Sequence, residues 1–337
     1  MSTCHPPPCP LSLLMPIDRG LAVGVVAGFG AALMLSSYLW RRHAPRFDGN
    51  SRVLATATVT GLSRYPVKSC RGESVTETGV DELGLCGDRR FLVVTAMSPH
   101  KFRHMREIPK MTLVRPSFVD GHDFNVVRLT RGSREVVVDR REASRTITVS
   151  VWNDEMEAED LGDEVAAWLS EQLGEQVRLV TIGAGHARKM GAKLRPPTDN
   201  TFAYGDMAPI LIASEASLGD LNSRLADEVT IERFRPNIVI DGVPAWSEDA
   251  WKTIRINGII YHVTDRCTRC IMTTVDPDTG VMGKEPFKTL MSFRKPPDVK
   301  RPLFGVHASC AKKAGAAICV GDTVEVLELW DELAPTP

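Results

Sequence analysis

Beyond about residue 53, the hydrophobic pattern consists of short apolar, β-branched runs separated by polar turns. Runs of this length, bounded by turn-forming residues, predict β-strands. They lie at residues 53–62, 90–95, 124–129, 134–138, 146–151, 238–240, 254–256, 259–263 and 323–327. Most of the chain is therefore predicted to form short strands.

Two segments carry apolar residues at helical spacing instead. Residues 160–176 predict the clearest helix, and residues 215–225 predict a second one with Ser214 as a candidate N-cap. The residues expected to face inward are Val165, Ala166, Leu169 and Leu173 in the first helix and Leu218, Leu221 and Leu225 in the second. Many short strands with a few helices indicate an α+β chain built around a β-barrel.

An uncharged apolar run precedes this pattern at residues 20–40, with the sequence GLAVGVVAGFGAALMLSSYLW. It is long enough to span a bilayer, which requires about 20 residues. The flank that follows is basic (Arg41, Arg42, His43 and Arg46), whereas Arg19 on the other side is offset by Asp18. This bias predicts a single transmembrane helix with the part of the chain that follows it in the cytosol. A buried core helix and a cleaved signal peptide are the alternatives, and the long run with its trailing basic flank disfavours the second.

Composition adds limits to this picture. A length of 337 residues suits two domains plus an appendage, and the 25% charged and 43% hydrophobic residues are globular values. A net charge of -1 argues against a nucleic-acid-binding protein, which would carry a basic excess. The eight cysteines are scattered, which fits a reducing compartment.

The candidate chemistry centres on residues 267–280, CTRCIMTTVDPDTG, which follow an apolar run and are expected on a loop at a strand end. Thiolates bind soft metals, and Arg269 favours the anionic thiolate and can hold a phosphate. Two inert core cysteines remain an alternative. So does a zinc site completed by Cys310 and Cys319, although that spacing matches no usual zinc motif. A thioredoxin-like pair lacks its βαβ context, so spacing alone leaves the chemistry open.

This stretch closely resembles the molybdenum-cofactor-binding loop of the MOSC-domain proteins, above all the amidoxime-reducing components of the mitochondrial outer membrane. Further motifs follow the family order from about residue 55 to 327. They are residues 65–70 (YPVKSC), 87–91 (GDRRF), 203–206 (AYGD), 214–222 (SEASLGDLN), 234–240 (FRPNIVI) and 302–305 (PLFG). The resemblance implies a MOSC β-barrel core with an α/β N-terminal subdomain, preceded by one transmembrane helix. We expect an anchor segment at residues 1–50, the N-terminal subdomain at 51–182, whose first strand contributes to the barrel, and the MOSC domain at 183–331.

The resemblance also implies the site. Cys270 would be the metal ligand, with Cys267 a structural neighbour, and Asp206 would be catalytic by orienting a metal-bound water or the substrate. The residues implied to bind the molybdenum cofactor (Mo-molybdopterin) are Lys68, Ser69, Arg89, Asp206, Met207, Arg235, Thr268, Arg269, Cys270 and His307. Arg90 is a possible substitute for Arg89 by one step of register.

The sequence departs from the family in three places. Met207 and Ala208 follow Asp206 where the relatives carry a hydroxyl residue, so a hydroxyl contact is lost there. His307 stands where the relatives carry an aromatic hydroxyl residue, and it could either bond the cofactor or stay idle. The segment at residues 308–319 does not match the family, and the roles of Cys310 and Cys319 stay open.

The function implied is a membrane-anchored molybdenum enzyme that reduces N-hydroxylated compounds such as amidoximes and hydroxylamines, with nitrite as a further candidate. The sequence contains neither a G-x-G-x-x-G fingerprint nor clustered ferredoxin cysteines, so electrons must come from partners. The resemblance implies cytochrome b5 and NADH-cytochrome b5 reductase, at the cytosolic face of the mitochondrial outer membrane. Two rivals stay open: a non-catalytic carrier of molybdenum cofactor or sulfur with Cys270 as a persulfide, and a tethered scaffold with structural or zinc-binding cysteines.

Overall fold

The structure is a computed structural model that describes residues 52–143, 145–183, 188–189, 201–310 and 316–331. The transmembrane helix expected at residues 20–40 lies outside these residues, as does most of the basic segment at 183–200. None of the helices in the described part of the chain combines the length and the apolar character needed to cross a membrane. The domain boundary between residues 182 and 183 stays a prediction.

Short strands dominate the described residues, as the hydrophobic pattern predicts. The strands are β1 (Ala55–Arg64), β2 (Glu73–Val75), β3 (Glu77–Asp81), β4 (Gly84–Leu85), β5 (Phe91–Thr95), β6 (His100–Lys101), β7 (Arg115–Asp120), β8 (Asp123–Arg131), β9 (Arg134–Asp139), β10 (Arg145–Val151), β11 (Asp154–Asp160), β12 (Val177–Ile182), β13 (Arg188–Lys189), β14 (Thr201–Phe202), β15 (Ile210–Ser214), β16 (Ile238–Asp241), β17 (Trp251–Ile256), β18 (Ile259–Thr268), β19 (Leu303–Cys310), β20 (Ala316–Cys319) and β21 (Thr323–Leu329). The α-helices are α1 (Asp163–Leu173), α2 (Glu215–Asn222) and α3 (Phe287–Phe293). All nine predicted strands and both predicted helices are present in this set, with shifted ends.

A closed barrel is the larger structural unit. Its strands follow the order β16-β15-β19-β18-β17-β21-β1, and β1 pairs back to β16, which closes the sheet. β15 and β16 are parallel, whereas the other barrel pairs are antiparallel. Alternate residues of these strands fill the interior because successive side chains point to opposite faces. Core residues include Val59, Ile212, Ile240, Ile254, Tyr261, Val306 and Val326.

Two further sheets, β5-β12-β11-β10-β6 and β7-β8-β9, form the N-terminal region with α1. The four residues of α1 that the periodicity predicts to face inward are all buried. The helix ends at Gly174, whose φ of 77° supplies the left-handed C-cap that glycine adopts without steric cost. Ser214 caps α2 as expected, since its side chain accepts a hydrogen bond from the Ser217 amide.

One expectation about the cysteine motif is wrong. β18 does not end at residue 263 but continues through Thr268, so Cys267 lies on the strand and only Cys270 lies on the loop beyond it. The apolar alternation stops early because register shifts at Val263/Asp265 and Arg266/Thr268 bend the end of the strand. Helix α3 escaped prediction because Leu290 is its only fully buried residue, which leaves no apolar period to detect.

Candidate functional site

A cavity of about 460 Å³ lies at the end of β18, among the loops next to the barrel strands. All ten residues expected to bind the cofactor line this one cavity, although they come from distant parts of the chain. They are Lys68, Ser69, Arg89, Asp206, Met207, Arg235, Thr268, Arg269, Cys270 and His307. The structure thus brings the whole set together, while the role of each residue stays a prediction.

The cavity wall is strongly basic. Eight basic side chains line it, against the two acidic side chains Asp154 and Asp206. The basic residues are Lys68, Arg89, Arg106, Arg188, Arg233, Arg235, Arg269 and Arg301. A chain with a net charge of -1 therefore concentrates positive potential here, which favours an anionic ligand.

Lys68 and Asp206 form an ion pair in the wall. Lys68 is 5% exposed, and its Nζ donates to the Tyr204 carbonyl at 2.8 Å and to Asp206 Oδ1. Burial lowers the pKa of Lys68, and Asp206 only partly opposes that shift. Burial would raise the pKa of Asp206, but the charge and hydrogen bond of Lys68 outweigh it and hold that pKa below its usual range. Asp206 thus presents an ionised carboxylate to the cavity, with 47% of its side chain exposed.

Arg89 and Arg235 stack on the ring of Tyr65, at 4.7 and 4.3 Å from its centroid. Arg89 Nη1 donates to Asp88 at 2.6 Å and to Asn237 Oδ1 at 3.1 Å. Arg235 Nη1 donates to the Cys70 carbonyl at 2.7 Å, whereas its Nη2 is buried without a partner. Burial lowers the pKa of Arg235 to about 10, so the guanidinium stays charged at neutral pH.

The backbone of the cavity wall is unusually strained. Ser69, Arg89, Trp152 and Arg235 have φ values of 70°, 49°, 57° and 57°, in the left-handed region. Only six non-glycine residues of the described chain have positive φ, and four of them line this cavity. Such strain costs about 1–3 kcal/mol per residue and clusters at functional sites.

Cys267 is held by two cationic side chains. Arg269 Nη1 donates to Cys267 Sγ at 2.9 Å, Arg269 Nη2 donates to the Phe234 carbonyl at 2.7 Å, and His307 hydrogen-bonds the same sulfur. Burial would raise the pKa of Cys267, but Arg269 and His307 outweigh it and lower the pKa to about 7. Burial likewise opposes the charge on His307, and the Cys267 thiolate overcomes it, so the pKa of His307 is raised.

Cys270 differs from Cys267 in its surroundings. It is half-buried and stands at the start of the short 3₁₀ turn Ile271–Thr274, next to the cavity. Cys267 is 4% exposed and its sulfur is already engaged by Arg269 and His307. Of the two sulfurs, that of Cys270 is therefore the better placed to take an external ligand.

Unpaired donors show that the wall suits an anionic group. Ser69 Oγ, Arg235 Nη2, Arg269 Nε and His307 Nδ1 are buried without hydrogen-bond partners. A buried donor left unpaired costs about 1–3 kcal/mol, and an anion with several acceptor oxygens would satisfy these. A cofactor that carries both a soft metal and a phosphate would match both Cys270 and these donors. Within the described residues, no group of three or more His, Cys, Asp or Glu side chains is arranged to hold a metal ion.

The comparisons with known proteins identify the family of the chain. Residues 199–325 match the family model of the MOSC domain, and residues 56–176 match that of the MOSC N-terminal beta barrel domain. The chain is 35% identical to mitochondrial amidoxime reducing component 2 of Rattus norvegicus, over 91% of this chain and 93% of the relative. The chain belongs to the family of the mitochondrial amidoxime-reducing components. The human component 2 is 34% identical over 90% of this chain and 92% of its own length, and human component 1 is 35% identical over 84% and 85%.

The structure shows which of the two arginines at residues 89 and 90 faces the cavity. Arg90 does not line the cavity; it is 4% exposed and pairs with Asp81 at 2.7 Å, so Arg89 is the arginine of that motif that faces the cavity. The motif resemblance overlooked several lining or supporting residues. Tyr65 and Asn237 stand inside quoted motifs and could have been found there, whereas Trp152 and Arg188 stand in no motif.

Proposed function

We propose that this amidoxime-reducing component family member is a molybdenum-dependent reductase of N-hydroxylated compounds, acting on amidoximes and hydroxylamines, with nitrite as a further candidate. One observation carries the proposal: the half-buried Cys270 shares a basic cavity with four buried donors that lack partners. The names of the relatives, amidoxime-reducing components, supply the substrate class.

Different residues of the cavity wall would bind different parts of the molybdenum cofactor. Ser69, Arg235 and Arg269 offer unpaired donors to a phosphate, and Arg89 adds charge to the same wall. Cys270 would supply its thiolate to the metal, with Thr268 and Met207 beside it. When bound, this cofactor supplies two-electron redox chemistry, and the protein contributes binding, orientation and electrostatics.

Asp206 would hold the substrate. Its Oδ1 accepts from both Lys68 and Trp152, so we assign Oδ2 to the substrate. An ionised carboxylate can accept a hydrogen bond from the amino group of an amidoxime and so orient the N-hydroxyl group. Reduction of an amidoxime to an amidine consumes two electrons and two protons and releases one water. Because Lys68 keeps Asp206 ionised, Asp206 would orient the substrate rather than donate these protons.

Electrons would come from cytochrome b5 and NADH-cytochrome b5 reductase. The sequence motifs of a dinucleotide or ferredoxin site are missing from the chain, which supports an external donor. The relatives are named mitochondrial, and the apolar run at residues 20–40 with its basic flank supports a single-pass anchor in the outer membrane, with the catalytic part in the cytosol. A shared membrane would raise the effective concentration of all three proteins.

The test is metal analysis of the full chain, expressed in a host that makes molybdenum cofactor, beside Cys270→Ser. We expect near-stoichiometric molybdenum and pterin in the wild type, and reduction of benzamidoxime with NADH, cytochrome b5 and its reductase. The variant should keep pterin and lose activity. If metal analysis found zinc in place of molybdenum, or no metal in either protein, the proposal would be wrong. Transfer of cofactor to an acceptor enzyme without any reduction would favour the carrier instead.

A further inference from the structure

Trp152 occupies an unfavourable backbone position at the edge of the cavity. It is the first residue of the two-residue turn between β10 and β11, since Val151 pairs with Asp154. Its φ of 57° lies in the left-handed region, and two-residue hairpin turns place glycine, asparagine or aspartate there. A bulky aromatic residue with positive φ is a genuine outlier. Backbone strain of this kind at a cavity indicates that the side chain has a function there.

The ring of Trp152 is also unusually exposed for its size. It is 44% exposed and lines the same cavity as Asp206 and Cys270. The exposed ring is supported from segment 102–106: the Phe102 centroid lies at 4.8 Å, the nearly parallel His104 ring at 6.0 Å and the Arg106 guanidinium at 5.0 Å. These contacts support the ring, which still leaves Trp152 partly exposed where it lines the cavity.

A hydrogen bond couples the ring to the candidate substrate carboxylate. Trp152 Nε1 donates to Asp206 Oδ1 at 3.3 Å, the oxygen that also accepts from Lys68. The orientation of the indole is therefore set by the same atom that the buried lysine holds. A molecule whose polar head lies at Asp206 would meet the exposed indole surface with its body.

We propose that Trp152 determines substrate specificity, by packing its exposed ring against the flat aromatic body of an N-hydroxylated amidine whose head lies at Asp206. The inference rests on the proposed function, because it concerns the substrate of the same site. A ring that is already fixed loses little conformational freedom on binding, so the contact adds affinity for flat aromatic molecules. Aromatic pairs contribute about 0.5–1.5 kcal/mol beyond buried area, equivalent to about a two- to twelvefold preference.

The experiment compares an aromatic and a small substrate on the cofactor-loaded full chain. Benzamidoxime and acetamidoxime share the reacting group, so the ratio of their kcat/KM values isolates the aromatic body. Trp152→Ala should lower this ratio about three- to tenfold, mainly through the KM of benzamidoxime, and Trp152→Phe should keep most of it. Met97→Ala, at a residue that is 78% exposed and does not line the cavity, is the control.

Binding of the two products provides a readout that needs no turnover. Benzamidine should bind the wild type more tightly than acetamidine by calorimetry, and Trp152→Ala should abolish that preference. If neither oxime is reduced but this binding pattern holds, the proposed function fails, while the contact between Trp152 and a flat aromatic amidine stands. Equal binding of both products to the wild type would overturn the inference. So would an equal loss in the Phe and Ala variants, since the indole N–H rather than the ring would then matter.

Discussion

Two sides of the cavity use the same physical device with opposite signs. On the Cys267 side (Cys267, Arg269 and His307), a buried sulfur whose pKa is lowered to about 7 contacts two basic side chains. On the Asp206 side (Lys68, Trp152 and Asp206), a buried cation holds an anion whose side chain is 47% exposed. Each buried charge is satisfied by the group that it positions, which avoids the large cost of an isolated buried charge.

Under the proposed function, this contrast would let one cavity receive two chemically different molecules. The Cys267 side and the nearby Arg235 present donors, as an anionic cofactor requires. The Asp206 side presents an acceptor and an aromatic ring, as a neutral or cationic substrate with a flat body requires. A uniformly basic wall would suit the proposed cofactor but would offer the proposed substrate no anion.

Substitution should affect Cys270 far more strongly than Cys267. We expect Cys270→Ser to lower kcat for benzamidoxime at least about 100-fold, more than the loss of a residue that only supports a metal ligand. Cys267→Ser should cost only about tenfold, because Cys267 would position Arg269 and His307 rather than bind the metal. Steady-state kinetics with molybdenum and pterin content measure both, with Cys319→Ser on β20 as the control. Loss of molybdenum only in Cys267→Ser would reverse the assignment.

The next effect tests the asymmetry of the Lys68–Asp206 pair. Asp206→Asn leaves the Lys68 ammonium buried at 5% exposure, and should lower the free energy of unfolding by up to about 3 kcal/mol. Lys68→Met leaves a carboxylate that water reaches, and should cost about 1 kcal/mol. Urea unfolding at pH 7 measures both. Glu171→Gln, in the exposed pair with Arg134, should change stability by less than about 0.5 kcal/mol. Equal costs for the two site variants would contradict the asymmetry.

The pH dependence of stability should have opposite signs for Cys267 and His307 in the cofactor-free protein. The folded pKa of Cys267, about 7, lies below that of an unfolded cysteine, about 8.5. Its contribution is therefore complete above about pH 8.5 and lost as the pH falls through 7. The pKa of His307 is raised, so its contribution is complete below about pH 6.5 and lost as the pH rises through the folded value.

Urea unfolding between pH 6 and 9 distinguishes the two residues. The stability excess of the wild type over Cys267→Ser should grow by about 1–2 kcal/mol from pH 7 to 8.5. The excess over His307→Gln should shrink above pH 6.5. Parallel curves for the two variants would mean that the sulfur and the imidazole do not share a charge pair.

The fold and the candidate site could be predicted from the sequence to different extents. Strand periodicity located β10 and β21 almost to the residue, because each buries one face. It missed β11, whose DEMEAED sequence is polar although Ala158 and Asp160 are buried. Asp160 is buried because Arg145 and Arg178 neutralise it, a tertiary contact that local patterning does not reveal.

For the site, the ordered motifs predicted ten residues that line one cavity, but they did not predict which side chains these residues pair with. The pairing of Lys68 with Asp206 and of Cys267 with His307 depends on segments far apart in sequence. Trp152 carried no signal, since only its backbone conformation in the folded chain sets it apart. Ser69, Arg89 and Arg235 were expected at the site from their motifs, but their left-handed backbone conformation was not.

A smaller effect on stability is expected from the backbone strain at Ser69. Ser69 has a φ of 70° and a buried hydroxyl without a partner, two features that cost stability in the cofactor-free protein. Ser69→Gly removes both, and glycine's larger unfolded-state entropy offsets part of the gain, so we expect a stabilisation of about 1 kcal/mol in urea unfolding. The loaded protein should instead lose pterin about fivefold faster on dialysis, because one hydrogen bond is missing. Ser69→Ala, which removes the hydroxyl but keeps the strain, should show the faster loss with less stabilisation. A destabilised, cofactor-free glycine variant would show that Ser69 serves packing rather than cofactor retention.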